Sequence, residues 1–133
     1  MTMTAATVGP QQYGKIYESC ISSVRQARHD VGLVLSTWGL QELTPDAKQI
    51  VSELMANAIE HTESNKIGTS ITRTGERSVR LEVTDRSSRK PQLQAVGSDD
   101  ESGRGIALVA ALSSNWGWER IFGGKKVWAE MTA

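Results

Sequence analysis

The hydrophobic period of this chain switches from helical to strand-like and then repeats that switch in shorter form. Ile21, Val24, Arg28, Val31, Val34 and Leu35 recur at intervals of three and four residues, which predicts an amphipathic helix to about Trp38 with Gly39 as its stop. Thr44-Pro45-Asp46 reads as an N-cap, a proline at the first helical position and an acid favoured by the helix dipole. A second helix from there carries Ile50, Val51, Leu54, Met55 and Ala58 inward and ends near His61. Residues 67–74 and 78–84 then alternate or are β-branched, with Gly75-Glu76 between them, the pattern of a hairpin. Residues 105–112 are apolar enough for a third, largely buried helix. Residues 115–121 and 125–131 predict a second hairpin, closed by Phe122-Gly123-Gly124, where glycine accepts positive φ. With a short edge strand at residues 15–19, the order is a strand, two helices, two strands, a loop, a helix and two strands. Hairpins with about three helices on one face make an α+β, two-layer sandwich on a mixed, mostly antiparallel sheet.

The 133 residues suit one domain, expected over residues 13–133. Residues 1–12 offer Thr, Gly, Pro and Gln without a sustained period and read as a flexible tail. Lys plus Arg and Asp plus Glu both number 15, which removes the field that non-specific binding to nucleic acid or an anionic membrane requires. Cys20 has no second cysteine to pair with, and with only His29 and His61 there is no zinc constellation. No basic segment followed by an apolar run opens the chain, so a cytoplasmic protein is expected.

Chemistry concentrates in three stretches. On the second helix, Asp46, Glu53, Asn57, Glu60 and His61 share a stripe bordering the apolar face. Glu53 offers a proton acceptor, and Asn57, one turn later, a neutral carbonyl oxygen suited to a hard cation such as Mg²⁺. Taken alone, such a stripe also reads as the solvated face of an amphipathic helix. Asp85 ends the strand Leu81-Glu82-Val83-Thr84, where a carboxylate can accept an exocyclic amine or merely start a turn. Gly103-Arg104-Gly105 leads into the third helix, where backbone N–H groups can approach a phosphate and Arg104 can add a charged contact.

Two other matches fail on spacing. Gly103-x-Gly105 lacks the third glycine and the βαβ setting of a dinucleotide fingerprint. Gly123-Gly124-Lys125-Lys126 lacks P-loop spacing and sits between two strands, so it reads as a hairpin turn. Trp116, Trp118 and Trp128 fall at strand positions and read as packing residues, and Cys20 as a small core or helix-cap residue.

In this order the stretches resemble the N, G1 and G2 boxes of the GHKL (HATPase_c) ATPase superfamily, which includes gyrase B and histidine-kinase ATP domains. Val51-Ser-Glu53-Leu-Met-Ala-Asn57-Ala-Ile-Glu60-His61 and Ser102-Gly-Arg-Gly-Ile-Ala-Leu-Val109 are similar to the N and G2 boxes of bacterial anti-sigma-factor serine-protein kinases. The ending Gly123-Gly-Lys-Lys-Val-Trp-Ala-Glu130 is similar to that of short ATP-binding regulators common in actinobacteria. The likeness runs from about residue 15 to residue 131. It implies the Bergerat fold, with ATP and Mg²⁺ as cofactors, Asn57 for the metal, Glu53 as catalytic base and Asp85 for adenine. Gly103, Arg104 and Gly105 would serve the phosphates.

The implied activity is a serine/threonine kinase acting on a small anti-sigma-antagonist protein, in a regulator that also sequesters a sigma factor. No direct contact with nucleic acid or membrane is implied, and the sequence leaves homodimerisation open. One departure stands out. The superfamily's G1 box continues Asp-x-Gly-x-Gly or Ala, whereas Asp85 is followed by Arg86-Ser87-Ser88-Arg89. A side chain there bears on ATP affinity more than on fold, and supports an alternative: a Bergerat-fold interaction switch without turnover.

Overall fold

The computed structural model describes residues 11–87 and 101–133, with the side chains of residues 101–105 left aside. Five strands form one antiparallel sheet in the order β1-β2-β3-β5-β4. They are β1 (Gln12–Glu18), β2 (Lys66–Gly75), β3 (Ser78–Asp85), β4 (Asn115–Ile121) and β5 (Gly124–Thr132). The helices are α1 (Ile21–Thr37), α2 (Thr44–His61) and α3 (Glu101–Leu112). The element order and the two-layer α+β architecture are those expected, except that the sheet is antiparallel throughout.

The sheet turns one face to the helices. In β3, Val79, Leu81, Val83 and Asp85 are buried in strict alternation, and in β5 Lys125, Val127, Ala129 and Met131 follow the same rule. This period-two burial is what a half-covered antiparallel strand requires. From the helices, Leu35, Ile50, Leu54 and Met55 meet it, joined by Ile106 and Val109 of α3. Trp116 and Trp118 pack against this core as expected. Trp128 instead lies in the opposite register, with the Arg80 guanidinium 4.1 Å from its ring centroid. Arg80 also pairs with Glu82 at 3.0 Å and Glu130 at 3.5 Å, a charged lattice that keeps the uncovered face wettable.

Several boundaries differ from the expectation, each for a physical reason. The first strand begins at Gln12 and ends at Glu18, so Gln12, read as tail, pairs with Thr72. Gln11 is held as well, its carbonyl accepting from the Arg73 amide and its side-chain oxygen from the guanidinium. Residues 1–10 lie outside the described residues. Thr44 is not an N-cap. A 3-10 turn, Gln41–Leu43, feeds directly into α2, so Thr44 already has helical dihedrals and makes no side-chain cap. Ile21, expected to face inward, is 75% exposed, because only the later turns of α1 reach the core. Cys20 occupies the N-cap position of α1 and is exposed. The stop at Gly39 is as expected: its φ of 73° suits a residue without Cβ, and its amide donates to the Ser36 carbonyl.

Candidate functional site

The polar stripe of α2 divides in three dimensions. Asp46 and Glu60 are exposed, Glu53 is half-buried, and Asn57 and His61 are inside. Asn57 and His61 are one turn apart, so they share the face that α2 turns toward the sheet. Glu53 accepts a hydrogen bond from the Gln49 amide at 3.1 Å, which braces its carboxylate along the helix. Asn57 has no such support: its amide nitrogen and oxygen are both buried, and neither has a hydrogen-bond partner. A buried polar group left in that state costs about 1–3 kcal/mol.

Asp85 continues the inward register of β3 and is 4% exposed. Directly across the sheet, in register, stands Lys125 of β5. Its ammonium is 3.2 Å from Asp85 Oδ2, and both side chains are shut off from solvent. On its other side, the same ammonium is 3.2 Å from His61 Nδ1. An ammonium can only donate, so Nδ1 accepts and the neutral ring carries its proton on Nε2. Burial pushes the Asp85 carboxyl up, while Lys125 and the Ser87 amide pull it back, leaving a net upward shift. Despite the ion pair, neither carboxylate oxygen of Asp85 has a well-aligned hydrogen bond.

The backbone around Asp85 is fixed by the segment that follows α2. The Arg86 amide donates to Thr62 Oγ1 at 3.3 Å, and the Arg86 carbonyl accepts from the Glu63 amide at 3.2 Å. Arg86 thus leaves the sheet tied to the segment that follows α2, and Ser87, next in the chain, stands where the first glycine was expected. Residues 88–100, including Ser88 and Arg89 and most of the segment expected to be a loop, lie outside the described residues. Helix α3 starts at Glu101, four residues earlier than expected. Gly103, Arg104 and Gly105 therefore fall within its opening turns rather than before it. Gly103 lies in the first turn, where amides lack intrahelical acceptors. Gly105, four residues after Glu101, is far enough in for its amide to bond within the helix, so the free amide expected there is not available. Helix α3 packs on α2, so the three stretches belong to adjoining elements.

Asn57 and Asp85 are thus brought onto the inner side of the fold by neighbouring elements, and both hold buried polar atoms without hydrogen bonds. Those atoms fit a ligand that carries an amine for the carboxylate and a cation for the amide oxygen. Among the described residues no group of three or more His, Cys, Asp or Glu could hold a metal alone. A cation here would draw further oxygens from phosphates and water, as Mg²⁺ does. A depression of about 780 Å³ at the end of the sheet borders Asp85, but Ile16, Thr84 and Phe122 line it and Asn57 takes no part. It is not the site in question.

Lys125 is the residue that sequence reasoning missed. The pattern predicts it in the strand 125–131, but Gly123-Gly124-Lys125-Lys126 reads from sequence only as a hairpin turn and gives the lysine no role; in the structure it is the second residue of β5. Its signal was present in the period-two series Lys125, Val127, Ala129, Met131, which places the lysine on the buried face. The turn itself is as expected, with φ of 81° at Gly123.

A family profile described as the histidine kinase-like ATPase domain matches residues 18–131. No curated protein matches the chain. Among solved structures, the RsbU and RsbW domains of Rv1364c from Mycobacterium tuberculosis align with a TM-score of 0.69 at 21% identity. That alignment covers 92% of this chain and 32% of the other. Full-length ShkA in complex with AMPPNP aligns with a TM-score of 0.56 at 20% identity, covering 90% of this chain and 32% of that one. The chain thus spans about a third of the length of these structures, and at such identities the likeness is one of fold. No helix among the described residues is long and apolar enough to cross a membrane.

Proposed function

The chain belongs to the histidine kinase-like ATPase domain family, and on that premise we propose that it is an ATP-binding anti-sigma-type regulator with serine/threonine kinase activity. Its substrate is a small anti-sigma-antagonist protein, and in another state it sequesters a sigma factor. The observation that carries the nucleotide reading is the pair of buried side chains, Asn57 and Asp85, whose polar atoms await partners. The AMPPNP held by a similarly folded protein supports an adenine nucleotide, and the likeness to an RsbW domain supports the regulatory class.

Each residue then has a defined task. Asp85 would accept the exocyclic amine of adenine, Asn57 would offer its carbonyl oxygen to Mg²⁺, and the first-turn amide at Gly103 would serve the phosphates, with Gly105 allowing the backbone to come close and Arg104 adding charge. When bound, Mg²⁺ would neutralise charge that develops on the γ-phosphoryl group. Glu53, steadied by Gln49, would take the proton from the partner's hydroxyl as that oxygen bonds to the γ-phosphorus and the bond from phosphorus to the β–γ bridging oxygen breaks, the electron pair leaving with ADP. The protein supplies position and electrostatics and forms no bond of its own to phosphorus.

The test is a calorimetric titration of the protein with ATP, with and without Mg²⁺, beside Asn57→Ala. Magnesium-dependent binding that disappears in Asn57→Ala supports the reading. No binding at millimolar ATP overturns it and leaves an interaction module. That second reading has an observation of its own: Ser87 and Arg89 stand where the box has its glycines, and Arg86 between Asp85 and Ser87 is tied to Thr62 and Glu63.

A further inference from the structure

A carboxylate recognises an amine only while its acceptor lone pairs are free and its position is fixed. Asp85 meets neither condition unaided. It is 4% exposed, and a carboxylate withdrawn from water takes up a proton unless a cation is held against it. The cation here is Lys125, from the neighbouring strand, on the same face and in direct register. An unpaired ammonium would itself be expelled from so dry a place. Lys125 is retained because Asp85 Oδ2 supplies charge on one side and His61 Nδ1 a lone pair on the other, both at 3.2 Å. The triad joins β3, β5 and the last turn of α2, one turn beyond Asn57. It leaves Asp85 with an engaged oxygen, Oδ2, and another, Oδ1, that is buried without a hydrogen bond.

We propose that Lys125 is a positioning residue for base recognition: seated between Asp85 and His61, it keeps Asp85 ionised and anchored through Oδ2, so that Oδ1 accepts the amine of the base. This rests on the nucleotide reading above and adds to it a residue outside the three boxes. Among the described residues, the groups that surround Asp85 are few. Lys125 faces it from β5, His61 stands behind Lys125 on α2, and the Ser87 amide follows it in the chain. Arg120 of β4 is the register partner of Lys125 on its far side, and β2 pairs with β3 only as far as Thr84. Among the described residues, the cation that acts directly on the carboxylate is therefore Lys125.

The experiment uses the full chain as wild type and as Lys125→Met, which keeps an apolar stem and removes the charge. Binding of ATP and of purine riboside triphosphate, which lacks the exocyclic amine, is measured by calorimetry from about pH 6 to about pH 8.5, across the window in which a buried carboxyl freed of its cation titrates. The Asp85 carboxyl carbon is followed by NMR in the nucleotide-free protein over the same range. In the wild type, ATP binds about tenfold or more tighter than the amine-free analogue, across the whole range, as one charge-assisted hydrogen bond predicts. In Lys125→Met that preference is lost at the acid end and returns as pH rises, while the Asp85 carbon titrates at higher pH than in the wild type. An unchanged preference with a flat profile, or an Asp85 carbon that titrates identically in both proteins, overturns the proposal. Wild type that binds neither nucleotide overturns the nucleotide reading, and this inference with it. Should Lys125→Met fail to fold, the wild type decides alone: Asp85 that is already protonated at neutral pH, or an absent preference for ATP over the analogue, refutes the role.

Discussion

Gly124 leaves no room between itself and Asp85: a β-carbon placed on Gly124 would collide with the Asp85 carbonyl oxygen and stand 2.9 Å from the Arg86 Cα. The turn of one hairpin thus presses on the peptide where another strand leaves the sheet. Backbone cannot yield as the end of a long side chain can, so Gly124→Ala must displace the Asp85-Arg86 peptide. The expected result is a loss of about 1–3 kcal/mol of stability together with weaker ATP binding, seen in thermal melts and calorimetry. Gly123→Ala is the control. Its φ of 81° makes alanine costly by roughly 1–2 kcal/mol, but its β-carbon meets nothing closer than the Arg86 guanidinium at 3.8 Å, so binding survives.

Asn57 sets stability against function. Its amide is buried without partners, a cost that the free protein bears and that a ligand relieves. Asn57→Leu, similar in size and apolar, is expected to raise the stability of the free protein by about 1–3 kcal/mol while abolishing magnesium-dependent ATP binding. Denaturant melts with and without Mg-ATP check both halves. A destabilised Asn57→Leu protein would show that the amide is satisfied in solution.

Glu53→Gln separates binding from transfer. The substitution keeps the size of the side chain and its place beside Gln49, and removes only the proton acceptor. ATP affinity should be preserved while phosphoryl transfer to a cognate antagonist protein falls by a factor of about 10²–10⁴. Unchanged transfer would rule Glu53 out as the base.

On the far side of the core, Asp30 of α1 ties the edge strand to the helix layer. Its carboxylate accepts from Tyr17 at 2.6 Å, Gln26 at 2.9 Å and Lys15 at 3.2 Å. Burial pushes the Asp30 carboxyl up, but the hydrogen bonds from Tyr17, Gln26 and Lys15 together hold it below the usual carboxylate range. The same burial and the same carboxylate push the Tyr17 hydroxyl far above its ordinary value. A depressed carboxyl contributes stability that is present above its unfolded pKa of about 3.9 and is lost as pH falls through the folded value. Tyr17→Phe should therefore cost about 1.5–3 kcal/mol at neutral pH and flatten the loss of stability below about pH 4. Equilibrium unfolding of both proteins across that range reads the difference.

The sequence by itself determined what depends on neighbours along the chain. Strict alternation in β3 and β5, the three- and four-residue spacing of α2, and the glycines at 39 and 123 each fix a local geometry that tertiary contacts need not supply. The same local patterns put Asn57 near the apolar face of α2 and Asp85 at a strand end, so those two site residues were legible before any contact was known. Periodicity, however, names a face without saying whether anything covers it. Ile21 fits the helical period and is exposed, while Asp30 is charged and buried, because it meets the hydroxyl of Tyr17 of β1, a contact that the period cannot show. Only the tertiary structure decided that β5 lies between β3 and β4, and with that order Lys125 is set opposite Asp85. A buried charge is tolerable only beside its counter-charge, and this lysine finds its partners 40 and 64 positions away, farther than any local pattern reaches.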